Sequence, residues 1–202
     1  MKIKTVIENV RLKINDTDKF RFLDYDILNV VNDGIRFIRN IFLDQYPDLL
    51  VDDVLFGTLE TEENQIELPF IPARYVDVRV NGERLRGAIL QDIDDLLAMG
   101  QPKKYCIVGK GKIRVFPIPK EYSKYSVVAV PVAQDVGLDD ESPFLDDFND
   151  CLVEFVALRL SMIDEFDQSQ ETTLLQQISN NVITKIQKIN APTVETVRGY
   201  YD

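Results

Sequence analysis

Residues 28–38 read LNVVNDGIRFI, and this stretch holds two conflicting signals. Asn32-Asp33-Gly34 is turn chemistry. Yet Leu28, Val31, Ile35, Ile38 and Phe42 follow one another at intervals of 3, 4, 3 and 4 residues, which places five large apolar side chains on one helical stripe. The stripe decides the reading: a helix over about 24–43, closed by Pro47 and opened by Asp24 as its N-cap. A glycine inside a helix costs about 1 kcal/mol relative to alanine, so Gly34 is expected where another part of the chain approaches closely. Asn32, Asp33, Gly34 and Arg36 together form the structural motif of this helix.

Outward from that helix, Ile3, Val6, Ile7, Val10 and Ile14 predict a shorter one over about 5–14, ended by Asn15-Asp16-Thr17-Asp18. From about 53 to 133 the pattern turns to short β-rich runs. Tyr75–Val80 alternates and leads into Asn81-Gly82, a strong hairpin signal. Tyr105–Val108 and Lys112–Phe116 flank Gly109-Lys110-Gly111 as a second hairpin, and a third strand is expected over 125–133. Between the hairpins, Ile89, Leu90, Ile93, Leu96 and Leu97 predict a short helix stopped by Gly100 and Pro102. Helices return in the last third. Ser142-Pro143 reads as an N-cap followed by proline at the first helical position, opening a largely buried helix over 143–166 that includes Phe148, Leu152, Phe155 and Phe166. A final helix over 170–189 carries Leu175, Ile178, Val182, Ile186 and Ile189. The expected fold is α+β and mainly α: a helical bundle from the N- and C-terminal helices, a central β-rich insertion, one domain over 1–190, and an extended C-terminal tail over 191–202.

Composition narrows function mostly by exclusion. The 202 residues include no His and two Cys, so a Ser-His-Asp triad, a Cys/His zinc site and an HExxH site are all impossible. Cys106 and Cys151 read as reduced, buried thiols. VGKGKIR lacks the GxxxxGK[ST] pattern and opens a β-run where a phosphate loop opens a helix. Asp139-Asp140-Glu141 with Asp146-Asp147 is the densest carboxylate cluster, read as capping and a solvated face in preference to a cation site. No Lys has an acid two residues before it, which removes the PD...(D/E)xK nuclease pattern; among 34 acidic residues, spacing alone leaves glycosidase carboxylate pairs open. A net charge of −11 opposes a grip on phosphate backbones. The charged N-terminus is unlike a secretory signal, and no run is apolar enough to span a bilayer, so the expected setting is cytoplasmic, with no cofactor and no metal. In the tail, Arg198, Tyr200 and Tyr201 stand out because Arg and Tyr are enriched in binding hot spots.

The order of these segments resembles a known family. VIENVRLKINDTDKFRFLDYDILNVVNDGIRFIRN, residues 6–40, is similar to the opening of the head-to-tail adaptor proteins of tailed bacteriophages, especially the tail accessory factor group of short-tailed phages. Phe22 takes the family's aromatic position, and Val31-Asn32-Asp33-Gly34 with Arg36 takes its "LNDG, then Arg" motif, with Val31 as a mild departure. IELPFIPARYVDVRVNGERLRG and PKKYCIVGKGKIRVFPIPK resemble the family's two β segments, and 142–189 its acidic-capped helix pair. The resemblance implies a non-enzymatic virion protein whose copies form a ring, dodecameric by symmetry, beneath the portal protein. Such a ring extends the DNA channel and receives tail or neck proteins, without sequence-specific DNA binding or a membrane. It implies that Val197, Arg198, Tyr200 and Tyr201 contact the portal or a neighbouring subunit. A different neck or tail-side ring component, and a virion-associated peptidoglycan hydrolase, are the competing readings.

Overall fold

The computed structural model describes residues 1–165 and 171–190, the side chains of 164, 165 and 190 excepted. Phe166, the junction at 166–170 and the tail over 191–202 therefore lie outside the described residues. The chain divides into two compact units, one made of Met1–Gln45 and the segment from Asp135 onward, the other of Tyr46–Gln134. Among the described residues there are four helices and eight strands, a mixed α+β fold in which the helices flank a β-rich insertion in sequence.

The helical unit contains α1 (Ile3–Lys13), α2 (Asp24–Gln45), α3 (Asn149–Glu165) and α4 (Glu171–Asn190). The helix α2 runs unbroken through Asn32-Asp33-Gly34 and buries Val31, Ile35, Ile38 and Phe42, with Ile27 taking the fully buried place assigned to Leu28. Tertiary burial of the stripe outweighs the local turn preference, since each buried aliphatic side chain contributes about 1.5–3 kcal/mol. The central helix is α3, which packs against the other three. Phe37 stacks on Phe155 at 4.9 Å between ring centres, and Phe42 meets Phe144 at 5.7 Å and Phe148 at 4.8 Å. The stripe of α4 is shorter than the sequence implied: Ile178, Val182 and Ile186 are buried, whereas Ile189 is exposed.

Two helix starts differ from the sequence reading. The third helix begins at Asn149 after a 3-10 turn over Asp146–Phe148, and not at Pro143. Ser142 is occupied otherwise: its backbone N–H donates to the Met1 carbonyl at 2.8 Å, and Glu141 bridges to Lys2, so the chain here is extended along the start of α1. At α2 the Asp24 carboxylate does not cap. Leu23 is the capping residue, with Asp26 reaching back to accept its N–H at 3.1 Å, as in half of a capping box.

The β unit contains β1 (Val54–Leu59), β2 (Gln65–Glu67), β3 (Pro72–Val80), β4 (Glu83–Arg84), β5 (Arg86–Ala88), β6 (Lys104–Gly109), β7 (Lys112–Phe116) and β8 (Ser123–Pro131). One sheet has the order β1-β8-β3-β4, the other β2-β7-β6-β5. Both expected hairpins form. Asn81 and Gly82 have φ of 52° and 82° and join Val80 to Glu83 in the two-residue turn that such a pair favours. Leu59, Ile66, Val78, Val80, Ile113, Val115, Val127 and Ala129 close one shared core between the sheets. The helix expected over 89–97 is absent: only Leu90–Asp92 makes a 3-10 turn, and Ile89, Leu90, Leu96 and Leu97 remain exposed. Without a core face to bury, that apolar pattern has nothing to stabilise a helix, and isolated short helices do not persist in water.

Candidate functional site

The motif on α2 works through two opposite sides of the helix. Residues 32 and 36 share a face because they are four apart. The Asn32 side chain accepts the Val136 N–H at 2.8 Å and donates to the Val136 carbonyl at 3.2 Å, so one buried amide satisfies both backbone groups of a loop residue. Arg36 donates to Asp33 at 2.8 Å and pairs with Asp135. Asp135 and Val136 are the residues with which the chain re-enters the helical unit. Gly34 faces the other way: a Cβ there would lie 2.7 Å from Leu152 Cδ1 and 2.9 Å from Phe155 Cδ1. The four residues thus fix the returning loop on one side and admit α3 on the other.

A second constellation escaped the sequence reading. Arg11 belongs to the buried face of α1 and is only 3% exposed, as is Asp16 at 4%. Arg11 donates to Asp16 Oδ2 at 2.6 Å, to Asp24 Oδ1 at 2.6 Å and to the Phe22 carbonyl at 2.9 Å. Asp16 Oδ1 accepts the backbone N–H groups of Phe20 at 3.1 Å and Arg21 at 3.0 Å. Burial raises the Asp16 pKa, but the N–H groups of Arg21 and Phe22 together with the Arg11 charge outweigh it and hold the carboxyl below its ordinary value. The hydrogen bond from Arg11 is the chief cause of the lowered Asp24 pKa. The resulting ionic clamp fixes the loop between α1 and α2, which presents Phe20 at 88% exposure, and the first turn of α2, which presents Tyr25 at 68%. The available signal was a lone arginine on the buried side of an apolar helix, followed by an Asp-rich turn; a buried charge demands partners.

The remaining sequence candidates are dispersed. Gly109 and Gly111, with φ of 155° and 73°, form the β6–β7 hairpin, and VGKGKIR opens β7 as read. Among the acidic cluster, Asp140 accepts the Gly137 N–H at 2.7 Å and Asp146 accepts from the Met1 amine at 3.0 Å. No group of three or more metal-ligating side chains occurs among the described residues. Asp150 pairs with Lys185 at 2.5 Å, and both pKa values move to favour the charged forms against the opposing effect of burial. Cys106 and Cys151 are buried free thiols whose pKa values burial raises, which makes them poor nucleophiles. Val197, Arg198, Tyr200 and Tyr201 lie outside the described residues.

What this geometry offers is bracing and presented surface, and the comparison with known families agrees. The family model described as SU10 adaptor protein matches residues 1–195. The chain belongs to the SU10 adaptor protein family. It is a phage adaptor, a structural component of the virion that associates with other head and tail proteins. No curated protein matches the chain. In this adaptor no helix among the described residues is long and apolar enough to cross a membrane.

Proposed function

We propose that this adaptor forms a homo-oligomeric ring, twelve-fold by the symmetry of a portal, that docks beneath the portal protein, extends the DNA channel and provides the platform for the tail. The observation that carries this reading is the family match over residues 1–195, which spans both compact units. Charge supports it. A net charge of −11 suits the wall of a conduit, because a negative lumen gives phosphates no site to grip and lets DNA slide. The clamped loop supports it as well, since apolar side chains fixed in place before binding lose little entropy when a partner covers them. Within the ring, each subunit meets the next through two different faces. Residues 191–202, with Val197, Arg198, Tyr200 and Tyr201, supply a contact to the portal or to a neighbouring subunit. The setting is the neck of a short-tailed phage, after assembly in the host cytoplasm.

The test is the copy number of this chain relative to the portal protein in purified particles, by quantitative mass spectrometry. A ratio near one is expected. Absence of the chain from the particle overturns the reading.

A further inference from the structure

The two most exposed large apolar side chains among the described residues are Phe20 at 88% and Leu97 at 81%. Each belongs to a surface of its own character. Phe20 stands on the loop between α1 and α2, flanked in sequence by Lys19 and Arg21, with Leu23 and Tyr25 also exposed just beyond it. The backbone there is held in place, because Asp16 Oδ1 accepts the N–H groups of both Phe20 and Arg21. Leu97 stands on the crossover between the parallel strands β5 and β6, where Ile89, Leu90, Leu96 and Met99 are exposed as well. Five of the eleven residues 89–99 are therefore large, apolar and bare, a density that marks an interaction surface. The end of this crossover is tied to the β unit: Gly100 donates to the Ile118 carbonyl and Ile118 to the Ala98 carbonyl, each at 2.8 Å. A hollow of about 260 Å³ opens against it, walled by Ile93, Ala98, Phe116 and Pro117 with Asp94 and Asp95.

A dry apolar cavity of about 150 Å³ admits benzene, so this hollow has room for one phenyl ring. Lys103 and Lys104 also line it, and cations lie favourably against an aromatic face. From this match we infer that residues 89–99 of one copy of the chain receive the α1–α2 loop of a second copy, with Phe20 in the hollow. Charge selects that occupant. Residues 89–102 contain three Asp and no Lys or Arg, whereas residues 1–23 contain six Lys or Arg against three acidic residues, in a chain whose net charge is −11. An aromatic anchor seated in a pocket is the form that dominant interface contacts take, and a loop already fixed by Asp16 loses little entropy on docking. The two patches are unlike, so they join copies head to tail, as a ring requires. The inference rests on the homo-oligomer reading and deepens it by naming where one subunit holds the next.

The experiment mixes full-length chains carrying Asp18→Cys, two residues before Phe20, with full-length chains carrying Gln91→Cys, on the crossover, under mild oxidation. Both positions are exposed. A reducible dimer linking the two variants is expected, at several times the yield obtained when Glu83→Cys, exposed on β4 of the same unit, replaces Gln91→Cys. Adding Phe20→Ala to the first chain, or Leu97→Asp to the second, should cut that yield about tenfold while leaving the circular dichroism spectrum intact. Equal yields from Gln91→Cys and Glu83→Cys overturn the inference, and so does a yield that Phe20→Ala leaves unchanged. A link found only within single chains bearing both cysteines, or only after another virion protein is added, overturns it too. Each of these failures leaves the particle copy ratio standing, so loss of this contact and loss of the ring reading are separable.

Discussion

Placing a methyl group at Gly34 tests how the α2 motif meets α3. In an open helix, Gly→Ala is worth about 1 kcal/mol of added stability. Here the new Cβ would stand 2.7 Å from Leu152 Cδ1 and 2.9 Å from Phe155 Cδ1, both well inside van der Waals contact. Those side chains are 0% and 5% exposed, and Phe155 is also stacked on Phe37, so neither has free space to enter. Overpacking of this kind costs about 1–3 kcal/mol, and the balance against helix propensity leaves Gly34→Ala destabilised by about 1 kcal/mol. For a chain of this size that is a fall of about 2–4 °C in melting temperature. Gly34→Leu adds three more carbons into the same contact and is expected to exceed 3 kcal/mol. Urea unfolding followed by far-ultraviolet circular dichroism measures both. A double-mutant cycle isolates the cause: Leu152→Val removes the nearest atom, so its cost should be smaller in the Gly34→Ala background than in the parent. If Gly34→Ala instead gains about 1 kcal/mol and shows no coupling to position 152, the close approach of α3 is not what the glycine serves.

Two further outcomes follow from the buried charges and thiols. Arg11→Met leaves Asp16 buried without its guanidinium and is expected to cost about 3–5 kcal/mol; because the pKa values of Asp16 and Asp24 are lowered on folding, their contribution is fully present above the ordinary Asp value of 3.8 and disappears as pH falls through the lower folded values, so the parent's urea midpoint should drop in that acid range and the variant's should drop less. Cys106 and Cys151, at 1% and 2% exposure, should react with a thiol reagent only as fast as the chain opens, and one equivalent consumed at mixing by the native protein would contradict their placement.

The parts of the fold legible in sequence were those whose signal is a periodic burial pattern or a fixed turn chemistry. The stripe of α2 and the Asn81-Gly82 and Gly109–Gly111 turns are of this kind, since each depends on residues close together in the chain. The start of α3 was not legible from Ser142-Pro143, because a distant partner, the backbone of residues 1 and 2, captures that segment first. The pattern over 89–97 failed for the converse reason: apolar spacing reports a helix only where something exists to bury it. Family resemblance carried the function, and the match over 1–195 sets it at the level of a phage adaptor. The ionic clamp around Arg11 was hidden because its members are spread over residues 11–24, and only folding shows that they converge.

The signature Asn-Asp-Gly-x-Arg can now be explained without reference to any partner. An insertion of about ninety residues leaves the helical unit at Gln45 and returns at Asp135, and the return must be held if the unit is to close. Asn32 and Arg36 hold it through Val136 and Asp135, while Gly34, on the far side of the same turn and a half of helix, lets α3 seat against α2. Closure therefore dictates each residue type, with an amide to satisfy one donor and one acceptor together, a guanidinium to bridge two carboxylates, and no side chain where two buried ones already lie. Asn32 and Gly34, both buried, are committed to closure and are not available to a partner. The surfaces that meet other virion proteins must therefore be sought first among the side chains that folding leaves bare, Phe20 on the clamped loop, Tyr25 in the first turn of α2 and Ile107 on β6.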